Sequence, residues 1–221
     1  MINKSTLQFL KNLKENNNKE WFELNRSKYE LAKTNFLELI EDVLKGLAKK
    51  DERFNLITAK SCLFRINRDV RFSKNKSPYK TNFGASISVG GKKSPLAGYY
   101  IHLEPGECFI GGGVYMPESE SIQKVRQEID YNWKEFKKII DASSFKNHYG
   151  EINKSKEFAL VREPKGYTKE NSAIEYIKLK SWIAGKKLNQ KDVSSPTLAK
   201  EIITSFAALK PLIDFINKGL V

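Results

Sequence analysis

The sequence has little of what most recognisable sites are built from: two cysteines and two histidines in 221 residues. Cys62 and Cys108 lie far apart, each in a strand-like run. They support neither a disulfide framework nor a C-x-x-C site and read as small buried apolar residues. With His102 and His148 the only imidazoles, no ligand spacing supports a metal, and none is expected. A run of about 18 apolar residues is missing everywhere. The N-terminus MINKSTLQFLKNLKENN has no continuous apolar core of a leader. No membrane contact is therefore expected, and a reducing cytoplasm is the expected compartment. G-x-G-x-x-G, P-loop, G-x-S-x-G and H-E-x-x-H patterns are all missing, so nucleotide binding by the first two routes is unsupported. Acids are scarce as well: 26 against 39 Lys and Arg, a formal net charge of +13. That balance raises the local concentration of anions, although much of it is Lys spread over helix faces.

What is present reads as helices, then strands, then helices. Leu7, Leu10 and Leu13 share a face of a short helix opened by Ser5 and Gln8 as a capping box, and Asn16 to Asn18 stop it. Phe22, Tyr29, Phe36, Ile40, Val43 and Leu47 keep helical spacing to about Lys49, with a bend near Asn25 to Ser27. Trp21 reads as a packing residue at the helix start. The period then changes to two: Cys62, Phe64 and Ile66 alternate with Leu63, Arg65 and Asn67, followed by Phe83 to Val89, Ala97 to Leu103 and Cys108 to Tyr115. This predicts a four-stranded, mainly antiparallel meander. Helices are expected after Pro117, after Asn132 and after Asn171, with Phe158 to Val161 and Lys180 to Ile183 as further strand candidates. Ser195-Pro196 opens a last amphipathic helix that Pro211 should kink or restart. Strands grouped between helices favour α+β: a central, mainly antiparallel sheet of four or more strands with helices before and after it. No linker or repeat divides the chain, so residues 1–221 read as a single domain.

The densest chemistry lies in CLFRINRDVRFSKNKSPYKTNFG, Cys62 to Gly84, where six basic residues surround the one carboxylate of Asp69. Arg65, Arg68, Arg71, Lys76 and Lys80 are the candidate anion ligands, because converging guanidinium and ammonium groups match phosphate or carboxylate oxygens. A plain ion-pair network around Asp69 is the competing reading. Pro78 stiffens the loop that carries Lys74, Lys76, Tyr79 and Lys80. Tyr100, His102 and Glu104 share one strand face at a spacing of about 7 Å. His102 and Glu104 are thus candidates for a general base and the group orienting it, against a satisfied sheet-face pair. Asp69, Tyr79, Tyr100, Arg126 and Lys165 are candidate lining residues. Gly111-Gly112-Gly113, inside a strand-like run, implies a bulge or a close backbone approach.

With these residues laid out, the chain resembles a widespread bacterial and fungal family catalogued as domain of unknown function 2461. The resemblance rests on NNNKEWFELNRSKYE, FRINRDVRFSKNKSPYKTNFGA, GYYIHLEP followed by GGGVYMP, the helix of Val125 and Arg126, and PKGY at Pro164 to Tyr167. It spans nearly the whole chain and implies one compact unit. It carries no reaction, cofactor or catalytic residue.

Three functional readings follow. The first is a basic pocket on a sheet face that binds a phosphate- or carboxylate-bearing small molecule, with His102 moving a proton if the protein is an enzyme. The second is nucleic-acid binding through loop 68–80, with Phe72, Tyr79 and Tyr100 available for stacking. The third is a non-catalytic module that docks an acidic partner. Cofactor, reaction and oligomeric state are not legible in the residues.

Overall fold

The computed structural model describes residues 1–221, with ten helices and a four-stranded antiparallel sheet, so the α+β expectation holds. The sheet follows chain order: β1 (Phe83–Ile87), β2 (Gly98–Leu103), β3 (Phe109–Val114) and β4 (Trp182–Lys187). No helix is long and apolar enough to cross a membrane. The chain divides into two compact units. One comprises Met1–Ile87, Tyr100–Ile110 and Lys187–Ile203; the other comprises Ser88–Tyr99, Gly111–Lys186 and Thr204–Val221.

In the first unit, helical periodicity builds α1 (Lys4–Glu15), α2 (Lys19–Leu24) and α3 (Arg26–Ala48). Phe9, Leu10 and Leu13 of α1 and Phe36, Leu39, Ile40 and Val43 of α3 are buried. Each side chain of this size contributes about 1.5–3 kcal/mol when fully buried. Asn35 is the polar exception. Its Oδ1 accepts from Thr6 Oγ1 at 2.9 Å and Asn3 N at 2.8 Å, so the buried amide is satisfied and ties α1 to α3. Asn18 caps α2 by accepting from Trp21 N at 2.9 Å, and Asn25 separates α2 from α3. The bend read from the sequence is therefore a break. A 3-10 turn at Glu52–Leu56 and α4 (Ala59–Cys62) lead to an extended segment ahead of β1.

The second unit holds α5 (Ser119–Tyr131), α6 (Trp133–Asp141), α7 (Ser143–Tyr149), α8 (Ile174–Ile177) and most of the last helix, which follows α9 (Gln190–Val193) as α10 (Leu198–Leu220). Trp182 is fully buried and donates its indole N–H to the Tyr176 carbonyl at 2.9 Å. Asn217 holds both sides of the Ala97 residue, accepting from its N–H at 2.7 Å and donating to its carbonyl at 3.2 Å. The glycine triplet is explained by close approach of another strand. A Cβ on Gly113, whose φ is +122°, would run into the Trp182 carbonyl, and one on Gly111 into the Ala184 carbonyl.

Several sequence expectations are corrected. Cys62 to Ile66 is not a strand of the sheet: Cys62 ends α4, and the segment pairs only through isolated bridges, Leu63 with Ala85 and Asn67 with Tyr79. Between those bridges one side advances four positions and the other six. The two extra residues bulge out around Thr81 and Asn82 and interrupt the ladder. The fourth strand is instead β4, close to where Lys180 to Ile183 suggested a return. Phe158 to Val161 makes only the bridge of Ala159 with Leu179. The first helix starts at Lys4 with Asn3 at the cap position, not Ser5. The last helix runs through Pro211, an exposed position flanked by the buried Leu209, Leu212 and Ile213. The short helix α7 has no counterpart in the sequence reading.

Candidate functional site

The extended pair between residues 63 and 85 forms a hairpin-like arm of the first unit, tied by Phe64 N to Gly84 O (2.9 Å), Lys80 N to Ile66 O (2.8 Å) and Arg68 N to Pro78 O (2.9 Å). It carries all five candidate anion ligands, and their heads have different fates. Arg71 is 76% exposed and chelates Asp69, with Nε donating to Oδ1 at 3.0 Å and Nη2 to Oδ2 at 2.7 Å. That contact holds the Asp69 carboxyl below its ordinary range, and the charge of Arg65 lowers it further. Arg65 is exposed and makes no hydrogen bond within the protein. Arg68 is half-buried and reaches Ser73 Oγ at 3.4 Å, and Lys76 donates to the Val70 carbonyl at 3.0 Å. Lys80 lies 5.4 Å from the centre of the Phe64 ring. Among Arg65, Arg68, Arg71 and Lys76, only Arg71 meets a carboxylate. At the tip, Phe72 is 96% exposed, with the Arg71 guanidinium 5.9 Å from its ring centre.

The row on β2 assembles as a continuous hydrogen-bonded chain. Strand alternation buries Tyr99, Ile101 and Leu103 on one face and leaves Tyr100 and His102 on the other. Tyr100 Oη lies 3.2 Å from His102 Nδ1, and His102 Nε2 lies 3.2 Å from Glu104 Oε2. When Nε2–H donates to the Glu104 carboxylate, Nδ1 is left to accept from the phenol. The side chains of His102 and Glu104 are only 15% and 20% exposed. The bulge that broke the expected strand completes this cluster: Thr81 Oγ1 donates to Glu104 Oε1 at 2.8 Å, and Asn82 Nδ2 stands 3.5 Å from His102 Nδ1. Phe109 stacks on the imidazole with ring centres 4.7 Å apart. Gly84 leaves room for the phenol, since a Cβ there would lie 2.6 Å from the Tyr100 oxygen. Burial, reinforced by the Glu104 charge, pushes the Tyr100 phenol above its ordinary pKa. Such a row can hold a proton and pass it between phenol and imidazole. Lys80 is linked to it through Phe64, whose ring centre is 6.3 Å from that of Tyr100.

Tyr79 lies on a different surface of the arm. Its ring stacks on Phe22 at 4.0 Å and 15°, and with Ile66, Asn67 and Pro78 it lines a groove of about 490 Å3 against α2 and α3. The sequence reading missed the residues of the facing wall: Lys19, Glu23, Arg26, Glu30 and Lys33. Their spacing of four, three, four and three is that of one helix stripe continued across the break at Asn25, and that signal is present in the residues from Lys19 to Lys33. Arg126 and Lys165 belong to the second unit. Arg126 spends its guanidinium on the carbonyls of Ile177 (2.7 Å) and Leu179 (3.0 Å), and burial lowers its pKa. Lys165 is exposed in the turn after Pro164.

A family model described as "Conserved hypothetical protein (DUF2461)" matches residues 5–215. No curated protein and no solved structure matches the chain.

Proposed function

The chain belongs to the DUF2461 family of conserved hypothetical proteins, and from that premise, which brings no activity with it, we propose that it binds a phosphate- or carboxylate-bearing ligand on the basic arm of residues 65–80. Arg65, Arg68, Arg71, Lys76 and Lys80 are the ligating cations. The observation that supports this reading is the shortage of acid on the arm: Arg65, Arg68 and Lys76 have no carboxylate partner, and Asp69 is taken by Arg71. An external anion is the partner these groups lack. The Tyr100–His102–Glu104 row, joined to the arm through Phe64 and Lys80, supplies the acid–base pair if the bound ligand reacts. In that role His102 moves the proton and Glu104 sets its tautomer. With this reading goes a cytoplasmic location, in which the buried cysteines Cys62 and Cys108 stay reduced.

Isothermal titration with inorganic phosphate, pyrophosphate, nucleotides and sugar phosphates tests it. Saturable binding that weakens in Arg68→Ala and Arg71→Ala is the expected result. No binding, or binding indifferent to both substitutions, removes the proposal.

One observation favours a second reading, single-stranded nucleic acid: the exposed Phe72 beside Arg71 at the arm's tip. Base stacking on such a ring is worth about 1–3 kcal/mol per base. An oligonucleotide affinity that falls steeply with salt and drops in Phe72→Ala selects this reading. A flat salt response excludes it.

A further inference from the structure

The groove between α2–α3 and the arm has a chemistry unlike that of the basic tip. Its helical wall alternates in sign along Lys19, Glu23, Arg26, Glu30 and Lys33, while the facing wall of Ile66, Asn67, Pro78 and Tyr79 carries no charge. Arg26 donates from Nε and Nη2 to the two Glu23 oxygens at 2.9 and 2.8 Å, and Lys33 lies 3.2 Å from Glu30. Lys19 makes no ion pair. Three aromatic rings in contact, Phe22, Tyr29 and Tyr79, line the groove, and the hydroxyls of Tyr29 and Tyr79 make no hydrogen bond within the protein. Both phenols are nevertheless pushed above their ordinary pKa by burial, so they remain neutral donors.

Charged pairs three and four apart are common on solvated helices. Here they differ in standing against a neutral wall, over rings whose polar tips are unused. We propose that this groove binds a zwitterionic small molecule with an apolar or aromatic body, of the free amino acid or dipeptide class. The ligand carboxylate takes the free Nη1 edge of Arg26 together with Lys19 or Lys33. Its ammonium takes Glu23 or Glu30, and its body lies against Tyr29, Ile66 and Pro78. The existing Arg26–Glu23 pair is about half exposed, and surface pairs of this kind are weak enough to exchange partners. A pure anion meets the two carboxylates of the wall and a pure cation meets its three bases; only a ligand of both signs is matched at both ends. The volume of about 490 Å3 lies within the range of small-molecule sites.

This site uses a different surface of the arm from the one that carries the basic ligands, and the test keeps the two apart. Titration of the unaltered protein with L-phenylalanine, phenethylamine, 3-phenylpropionate and inorganic phosphate should give saturable binding of phenylalanine. Each analogue lacking one charge, measured by its displacement of phenylalanine so that a carboxylate held on the basic surface of the arm is not counted, should bind at least about tenfold more weakly, the scale of one lost charge-assisted hydrogen bond. Glu30→Gln and Tyr29→Phe should weaken phenylalanine, whereas Arg68→Ala and Arg71→Ala should leave it unchanged. Because the analogue series uses the native chain, a variant that folds poorly does not blunt the test. Failure of phenylalanine to bind, or 3-phenylpropionate or phosphate binding in the groove as tightly, overturns the proposal and leaves the arm's anion affinity to be judged separately.

Discussion

Asn17 holds Tyr79 by both sides of its backbone: the Tyr79 N–H donates to Asn17 Oδ1 at 3.1 Å and the Asn17 amide donates to the Tyr79 carbonyl at 2.9 Å. A side-chain amide here stands in for a neighbouring strand and anchors the basic arm to the turn between α1 and α2. Asn17→Ala leaves both peptide groups unpaired in a partly buried setting. The expected cost is about 1–3 kcal/mol, read as a lower urea midpoint. Hydrogen exchange at the Tyr79 and Lys80 amides should quicken while the α10 amides keep their protection. Asn17→Asp, which can still accept from the Tyr79 N–H, should lie between the two.

Glycine positions with positive φ should separate sharply by their surroundings. Gly113→Ala combines φ of +122° with a Cβ driven into the β4 backbone at Trp182. Gly91→Ala has φ of +84° and open space around it. Strain alone costs about 1–3 kcal/mol, so Gly91→Ala should fold with a modest loss. Gly113→Ala adds a clash that only strand separation relieves, and should fail to reach the native state or lose most of its stability. Thermal unfolding followed by circular dichroism compares them.

The periodic parts of this fold were legible because one physical signal dominated each. Ile40, Val43 and Leu47 could be placed on a buried helix face, and Tyr99, Ile101 and Leu103 on a buried strand face, from spacing alone. The spacing of Tyr100, His102 and Glu104 likewise put them on a common face, as observed. Alternation at Cys62 to Ile66 misled, because ladder pairing is decided by a partner strand whose two extra residues at Thr81 and Asn82 shift the register. The contribution of those two side chains to the β2 row was hidden for the same reason. The groove wall was overlooked since alternating charges on a helix ordinarily mean a solvated face. What sets Lys19 to Lys33 apart is the arm opposite, a contact between residues distant in sequence.

Asp141 offers an acid-range test of local electrostatics. Lys137 and Lys146 both hydrogen-bond its carboxylate and lower its pKa from 3.8 to about 2. Because the folded value is depressed, the stabilisation is present above the unfolded value and is lost as pH falls toward about 2. Carbon-detected NMR should place the Asp141 midpoint near that value. Lys137→Gln combined with Lys146→Gln should move it up into the ordinary carboxylate range. Since the group is exposed, salt near 1 M, where the screening length is about 3 Å, should move it in the same direction. A midpoint unaffected by salt and by both substitutions refutes the two-lysine account.

The phenol of Tyr100 provides the alkaline counterpart and bears on the candidate site. Burial is the larger cause of its raised pKa and the Glu104 charge the smaller. The folded phenol therefore keeps its proton where the unfolded one, with a pKa of about 10, has lost it. Its contribution to stability is intact below that pH and declines as pH rises toward the folded value. Phenolate absorbance, taken as the difference from Tyr100→Phe, should show a late titration. Glu104→Gln should bring the midpoint down while leaving it above the ordinary value, because burial persists. Gly84→Ala, whose Cβ would stand 2.6 Å from the phenol oxygen, should push Tyr100 off His102. That displacement is visible as an altered imidazole 15N shift with no charge removed. If the imidazole signals of Gly84→Ala match those of the parent protein, Tyr100 is not hydrogen-bonded to His102 in solution, and the row ends at the His102–Glu104 pair.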